Sequence, residues 1–191
     1  TMDTHLPVAI LAQVLLSSFL APFQAVMRVL SACGVVCLGK TISFTWKDCG
    51  DSSTHGHVTG VTTKPDPPVL GTTTAITGTG TLDEGVSSGT YNVDVSVPVI
   101  GKVVSHSDSI CGDSSFDIKV LGVNVGKVSI HGLSCPAAAG TLNLEIDALL
   151  NDKLPAGIGQ ATIAMTATDQ SNGKLVCMNV EAKIENGDIV V

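Results

Sequence analysis

The sequence predicts an all-β protein, an immunoglobulin-like antiparallel two-sheet β-sandwich preceded by an apolar, helical N-terminal segment. Three observations lead there. Apolar and polar residues alternate repeatedly after residue 40, the pattern of strands half-buried on a core. Aromatic residues are only 3% of the chain while glycines number 20, so strands of Val, Thr and Ile must be punctuated by glycine turns. No helical pattern long enough for a crossover separates successive strands, which argues against a parallel sheet.

Residues 42–49 read as a first strand and 57–64 as a second, parted by the turn Gly50, Asp51, Ser52, Ser53. Pro65, Asp66, Pro67 and Pro68 then stop pairing, because proline donates no ladder hydrogen bond. Strands at 72–81 and 89–100 follow around the turn Asp83, Glu84, Gly85. In the latter, Val93, Val95, Val97 and Val99 share one face and Asn92, Asp94 and Ser96 the other. Phe116, Ile118 and Val120 repeat the alternation, as do Leu142, Leu144 and Ile146, then Ala161, Ile163 and Met165. The final strand turns Val176, Met178, Val180, Ala182 and Ile184 inward, with Cys177, Asn179, Glu181 and Lys183 outward. Seven or eight such strands make a sandwich.

Residues 1–39 are unlike the rest: from 6 to 38 the only charged side chain is Arg28. They read as a signal peptide or signal-anchor region, with 40–191 as the domain proper. The apolar stretch 6–20 with cleavage near Ala25, a start at Met27 and Arg28 ahead of the apolar run 29–38, and an uncleaved anchor over 6–27 all fit. A leader removed up to about Lys40 would take Cys33 and Cys37 with it. The remaining cysteines, Cys49, Cys111, Cys135 and Cys177, are an even set behind a secretory signal and are expected as disulfides. Of the three connectivities, Cys49 with Cys177 and Cys111 with Cys135 is favoured: the first ties an early strand to a late one, the second closes a local excursion.

The formal charge of −7 leaves no basic stripe for phosphates, so no nucleic-acid partner is expected. Catalytic and metal constellations are also weak. The pentapeptide Cys-Gly-Asp-Ser-Ser occurs at 49–53 and 111–115; the second copy suggests a serine nucleophile at Ser114, yet Ser115 stands where such proteases carry glycine and no partner histidine segment precedes it. Turn chemistry is the better reading of both copies. Gly132 to Pro136 misses GxSxG at its last position. His55 and His57 would share a strand face without evident third and fourth ligands, while His106 and His131 sit alone near polar turns. The pairs Asp83 with Glu84, Glu145 with Asp147, and Asp108 with Asp113 read as solvated charges. No metal, cofactor or dinucleotide fingerprint is found, and no enzyme activity is expected.

The chain resembles the ML lipid-recognition domain family over about 42–184. That family takes in the ganglioside activator protein, the Niemann-Pick cholesterol carrier, phosphatidylglycerol/phosphatidylinositol transfer proteins and group 2 mite allergens. The resemblance rests on Phe44, Thr45, Trp46, Lys47, Asp48, Cys49; on Lys64, Pro65, Asp66, Pro67; on Cys135, Pro136 with Gly140, Thr141; on Leu154, Pro155, Ala156, Gly157; and on Gly173, Lys174, Leu175, Val176, Cys177. The opening strand and Pro-Asp-Pro lean toward the ganglioside activator branch, the few disulfides toward the transfer proteins.

The resemblance implies a sandwich whose interior is left partly open for the apolar part of a sterol, phospholipid or glycolipid. It implies a monomer, without covalent chemistry or cofactor, in the extracellular space or the endolysosomal lumen. The inward candidates for the cavity lining are Val93, Val95, Val97, Ile118, Val120, Leu144, Ile146, Ile163, Met165, Met178 and Val180. Among apolar loop residues Val123, Val125, Ile130, Leu133, Leu154 and Ile158, transient membrane contact is expected above all of Leu133, Leu154 and Ile158. The domain's few aromatics, Phe44, Trp46, Tyr91 and Phe116, suggest a roomy or adaptable cavity built from Val, Ala and Met. The alternative is an immunoglobulin-like recognition or structural module with a filled core.

Overall fold

A computed structural model of the protein describes residues 39–98, 100–155 and 158–185. The signal or anchor segment, apart from Gly39, and Val99 lie outside the described residues.

Ten strands follow one another: β1 (Thr41–Asp48), β2 (Gly56–Lys64), β3 (Thr73–Leu82), β4 (Gly89–Val97), β5 (Gly101–Ser109), β6 (Asp113–Val120), β7 (Val123–His131), β8 (Gly140–Leu150), β9 (Gln160–Asp169) and β10 (Lys174–Glu185). They make two five-stranded antiparallel sheets, one ordered β1-β10-β9-β4-β5 and the other β2-β3-β8-β7-β6. The expected all-β two-sheet sandwich is the fold of the described residues.

Two strands exceed the sequence expectation, β5 and β7. In β5, an edge strand, Lys102, Ser105, Ser107, Asp108 and Ser109 face water and Val104 alone is fully buried, so the apolar half of its alternation is nearly missing. In β7, Val125 and Gly126 are buried in succession next to a register shift between Ile118 and Lys119, and the irregularity masks the period of two. Strand β4, expected to run to residue 100, ends at Val97, where Gly101 at φ 84° carries the chain into β5. A further shift between Lys174 and Val176 buries both Leu175 and Val176.

The registers give the sandwich two distinct ends. Asp48, Gly56, Leu82, Gly89, Asp113, Gly140 and Asp169 lie at one; Thr41, Lys64, Thr73, Val97, Val120, Leu150 and Glu185 lie at the other. Both disulfides are at the first. Cys49 is bonded to Cys177 across β1 and β10, and its N–H donates to the Cys177 carbonyl at 3.0 Å. Cys111 is bonded to Cys135, tying the β5–β6 crossover between sheets to the loop after β7, where the Leu133 N–H donates to Ile110 O at 2.7 Å.

The fully buried cluster also gathers at this disulfide end: Val58, Leu82, Val86, Tyr91, Val93, Ile110, Ile130, Leu142, Leu175, Val176 and Met178. Toward the far end the inward residues Ile42, Phe44, Ile76, Ile118, Ile146 and Ile163 are only half-buried. Close packing thus covers one half of the interior and stops.

Candidate functional site

The half-buried residues surround a cavity of about 210 Å³ between the sheets. Ile42 and Phe44 of β1, Ile163 of β9 and Met178, Val180 and Ala182 of β10 supply one wall. Val61 and Thr63 of β2, Thr74 and Ile76 of β3, Ile118 of β6 and Ile146, Ala148 and Leu150 of β8 supply the opposite one. Pro68, Val69 and Thr72 close the side between the edge strands β1 and β2, held by hydrogen bonds from Ile42 N to Pro68 O at 2.8 Å and from Leu70 N to Lys40 O at 2.9 Å. The proline segment therefore both ends β2 and becomes cavity wall. Among the described residues the lining carries no titratable side chain, and its only polar side chains are the three threonines, each of which also carries a methyl group.

A second cavity of about 120 Å³ reaches the far end. It shares Ile42, Ile118, Leu150, Ile163 and Ala182 with the first and adds Val95, Val97, Val103, Val120, Val125, Leu154, Ile158 and Ile184, with Gln160 and Lys183 as its polar members. A third void, about 50 Å³, lies in the disulfide half among Tyr91, Ile110, Leu133, Leu144, Met165 and Leu175. An apolar cavity of about 150 Å³ is enough to hold a small apolar guest, so the first is large enough to be a binding chamber.

Among the residues expected to line a cavity, Ile118, Ile146, Ile163, Met178 and Val180 border the large one, and Val95, Val97 and Val120 the one behind it. Val93 shares a face with Val95 yet lies in the buried cluster and borders none of these three cavities. Leu144 and Met165 border only the small void. Leu133 packs, partly buried, against the core beside Cys111–Cys135, at the opposite end from Leu154 and Ile158.

The rejected chemistries have structural counterparts. In the first Cys-Gly-Asp-Ser-Ser copy, Asp51 Oδ1 accepts from Ser53 N at 2.8 Å and Ser53 Oγ at 2.6 Å, and Lys174 Nζ donates to Oδ2 at 2.6 Å, which holds that carboxyl far below its usual range. That copy is turn chemistry. The second is not: Asp113, Ser114 and Ser115 open strand β6, and the Ser114 hydroxyl shares a 2.6 Å hydrogen bond with the Tyr91 phenol, whose pKa burial pushes up. His55 and His57 diverge, His57 Nδ1 lying 2.8 Å from Asp48 Oδ2 and His55 Nδ1 2.9 Å from Asp83 Oδ1.

Residues 43–184 match the ML domain family. The chain belongs to that family. A "Putative phosphatidylglycerol/phosphatidylinositol transfer protein" of Dictyostelium discoideum is 30% identical over 160 residues, 83% of this chain and 100% of that protein. The phosphatidylglycerol/phosphatidylinositol transfer protein of Mycosarcoma maydis is 26% identical over 136 residues, 71% of this chain, and the match spans 63% of that protein's length. Among solved structures, the crystal structure of chicken MD-1 complexed with lipid IVa is similar at 18% identity and a TM-score of 0.49, covering 78% of this chain and 94% of the other.

What sequence reading of this ML domain missed is the β1, β2 and β3 share of the chamber. Ile42 and Phe44 do alternate with Ser43 and Thr45, so that signal was present. Thr63, Thr72 and Thr74 gave none, because threonine reads as polar while its methyl group faces the cavity as well as a valine's would.

Proposed function

We propose that the protein binds the apolar part of a phospholipid between its two sheets and transfers the lipid between membranes without covalent chemistry. The observation that carries this reading is the unfilled apolar chamber of about 210 Å³, with no titratable side chain among its described lining residues, which adjoins a second cavity toward the far end. Each methylene moved from water into such a chamber contributes about 0.8 kcal/mol, so an acyl chain supplies ample driving force. The phospholipid class is supported by the transfer-protein relatives at 30% and 26% identity. A module with a filled core would have no need of the gap.

The entry is at the far end. Leu121 is 78% exposed and Val123 54% exposed on the β6–β7 turn, Ile100 is exposed on the β4–β5 turn, and Leu154 and Ile158 lie in the β8–β9 loop beside the second cavity. Leu121 also sits at φ 51°, a conformation that disfavours leucine, so the turn gives up stability as well as hiding of apolar area. Apolar side chains displayed together at a cavity end suit a bilayer surface. Membrane contact is therefore assigned to Leu121, Val123, Leu154 and Ile158. The protein acts as a monomer in an oxidising compartment, extracellular or endolysosomal, as its two disulfides favour.

The test is mass spectrometry of lipid copurified with the protein, together with uptake of a fluorescent phosphatidylglycerol from vesicles. Bound phospholipid and saturable uptake are expected. No copurified lipid and no uptake would overturn the reading in favour of a filled recognition module.

A further inference from the structure

We propose that His55, Glu84 and Asp169 form a binding site for one divalent transition-metal ion of the Zn²⁺ type at the disulfide end of the sandwich, remote from the chamber. One ligand atom from each lies within 4.8 Å of the others, although the three come from the approach to β2, the β3–β4 loop and the end of β9. Asp169 is only 3% exposed. Its Oδ1 is saturated, accepting from Ser171 N at 2.6 Å, Ser171 Oγ at 2.7 Å and Gly173 N at 2.9 Å, which leaves its buried Oδ2 with no partner but the neighbouring Glu84 carboxyl. Glu84 Oε1 is likewise buried without another donor, and the other Glu84 oxygen lies 3.7 Å from His55 Nδ1.

Two buried carboxyl groups in one place are expensive unless a shared proton or a cation joins them, and a divalent ion takes the place of that proton. Among the described residues no lysine or arginine does so: neighbouring Lys174 is committed to Asp51 at 2.6 Å. Room is kept for the open oxygen by Gly173, where a Cβ would come within 2.7 Å of Oδ2.

The three ligands are held in place before any ion arrives. His55 N donates to Lys174 O at 2.9 Å, Asp83 N to His55 O at 2.8 Å, and Asp169 N to Gly173 O at 3.0 Å. Gln170 clamps the loop that carries Glu84, accepting from Ser87 N at 3.1 Å and donating to Gly85 O at 3.2 Å. Asp83 Oδ1, 2.9 Å from His55 Nδ1, orients the imidazole as an outer carboxylate does in metal sites. One imidazole nitrogen with two carboxylates suits Zn²⁺ better than Ca²⁺, which takes oxygen alone. The ion would fasten the β3–β4 loop to the β9–β10 turn, alongside the staple that Cys49–Cys177 already provides.

The experiment is calorimetric titration of Zn²⁺ into the disulfide-bonded protein after treatment with a chelator, with Ca²⁺ as comparison. One equivalent of Zn²⁺ should bind and raise the melting temperature, and Ca²⁺ should not compete. His55→Gln and Glu84→Gln should each weaken Zn²⁺ binding about tenfold or more, and Asp83→Asn by a similar factor through the ring it orients, all with lipid uptake unchanged. Absence of saturable Zn²⁺ binding to the unmodified protein overturns the proposal. Binding that survives both ligand substitutions does so too.

Discussion

Ile118 of β6 and Ile163 of β9 border the same two cavities from opposite sheets, so this pair marks where the 210 Å³ chamber continues into the 120 Å³ one. Enlarging either side chain at that junction should divide the interior without disturbing the filled cluster at the disulfide end. Ile118→Phe and Ile163→Phe are expected to cut uptake of fluorescent phosphatidylglycerol about tenfold. Stability should hold, because each added carbon enters empty apolar space at about 0.8 kcal/mol per methylene buried. Uptake measured beside urea denaturation checks this; wild-type uptake in both variants would detach the junction from binding.

Packing density should show in the cost of truncation. Leu142 is 1% exposed within the filled cluster, and Leu142→Ala should cost about 3–5 kcal/mol. Ile76 already faces the chamber, so Ile76→Ala removes fewer contacts and should cost about 1–2 kcal/mol. Equal costs in chemical denaturation would mean that the two halves are packed alike.

Leu121 offers a trade between stability and transfer. At φ 51° asparagine is better accommodated than leucine, so Leu121→Asn should raise stability by roughly 1 kcal/mol. The same change removes the most exposed large apolar side chain among the described residues of the cavity end and should slow lipid movement between vesicles several-fold. A variant that is more stable and transfers as fast as the parent would take the turn out of the mechanism.

The two disulfides should differ in weight according to the loops they close, 128 and 24 residues in sequence. Chain entropy alone gives upper values of about 5 kcal/mol for Cys49–Cys177 and about 3.5 kcal/mol for Cys111–Cys135. Paired Cys→Ala substitutions followed by urea denaturation should show the first loss to be the larger. The opposite order would show that native-state contacts outweigh loop closure.

His131 makes stability depend on pH. Asp147 Oδ2 stands 3.2 Å from its Nε2 and Asp113 Oδ1 3.5 Å from its Nδ1, with Glu145 opposite on β8, and the Asp147 hydrogen bond leads the causes that raise its pKa above 6.5. Because the folded value is the higher one, the stabilising contribution is complete below pH 6.5 and is lost as pH rises through the folded pKa. The imidazole resonances of His131 should titrate above 6.5, and His131→Gln should flatten the stability profile in that window. A midpoint at or below 6.5 would contradict the arrangement.

Much of this fold was legible because a strand's inward face repeats every second residue, whatever the strand packs against. That suffices to read Ile163, Met178 and Val180 as interior. It cannot separate Val93 from Val95, two residues apart on one face, of which the first is sealed in the core and the second borders a cavity. The difference comes from which side chains of the facing sheet each one meets, a property of no single strand. Strand β5 hid for another reason: its outer positions are nearly all polar, and only pairing with β4 makes it a strand.

By itself the sequence determined the all-β class, the inward faces and the resemblance to the ML domain family, because each of these is written in local alternation or short contiguous motifs. Only the tertiary structure decided where the interior is filled and where it is open, that Pro68 and Val69 form cavity wall, and that Leu133 and Leu154 belong to opposite ends. It alone brings His55, Glu84 and Asp169 together. Contacts between residues far apart in the chain depend on strand register and sheet separation, and no local pattern encodes either.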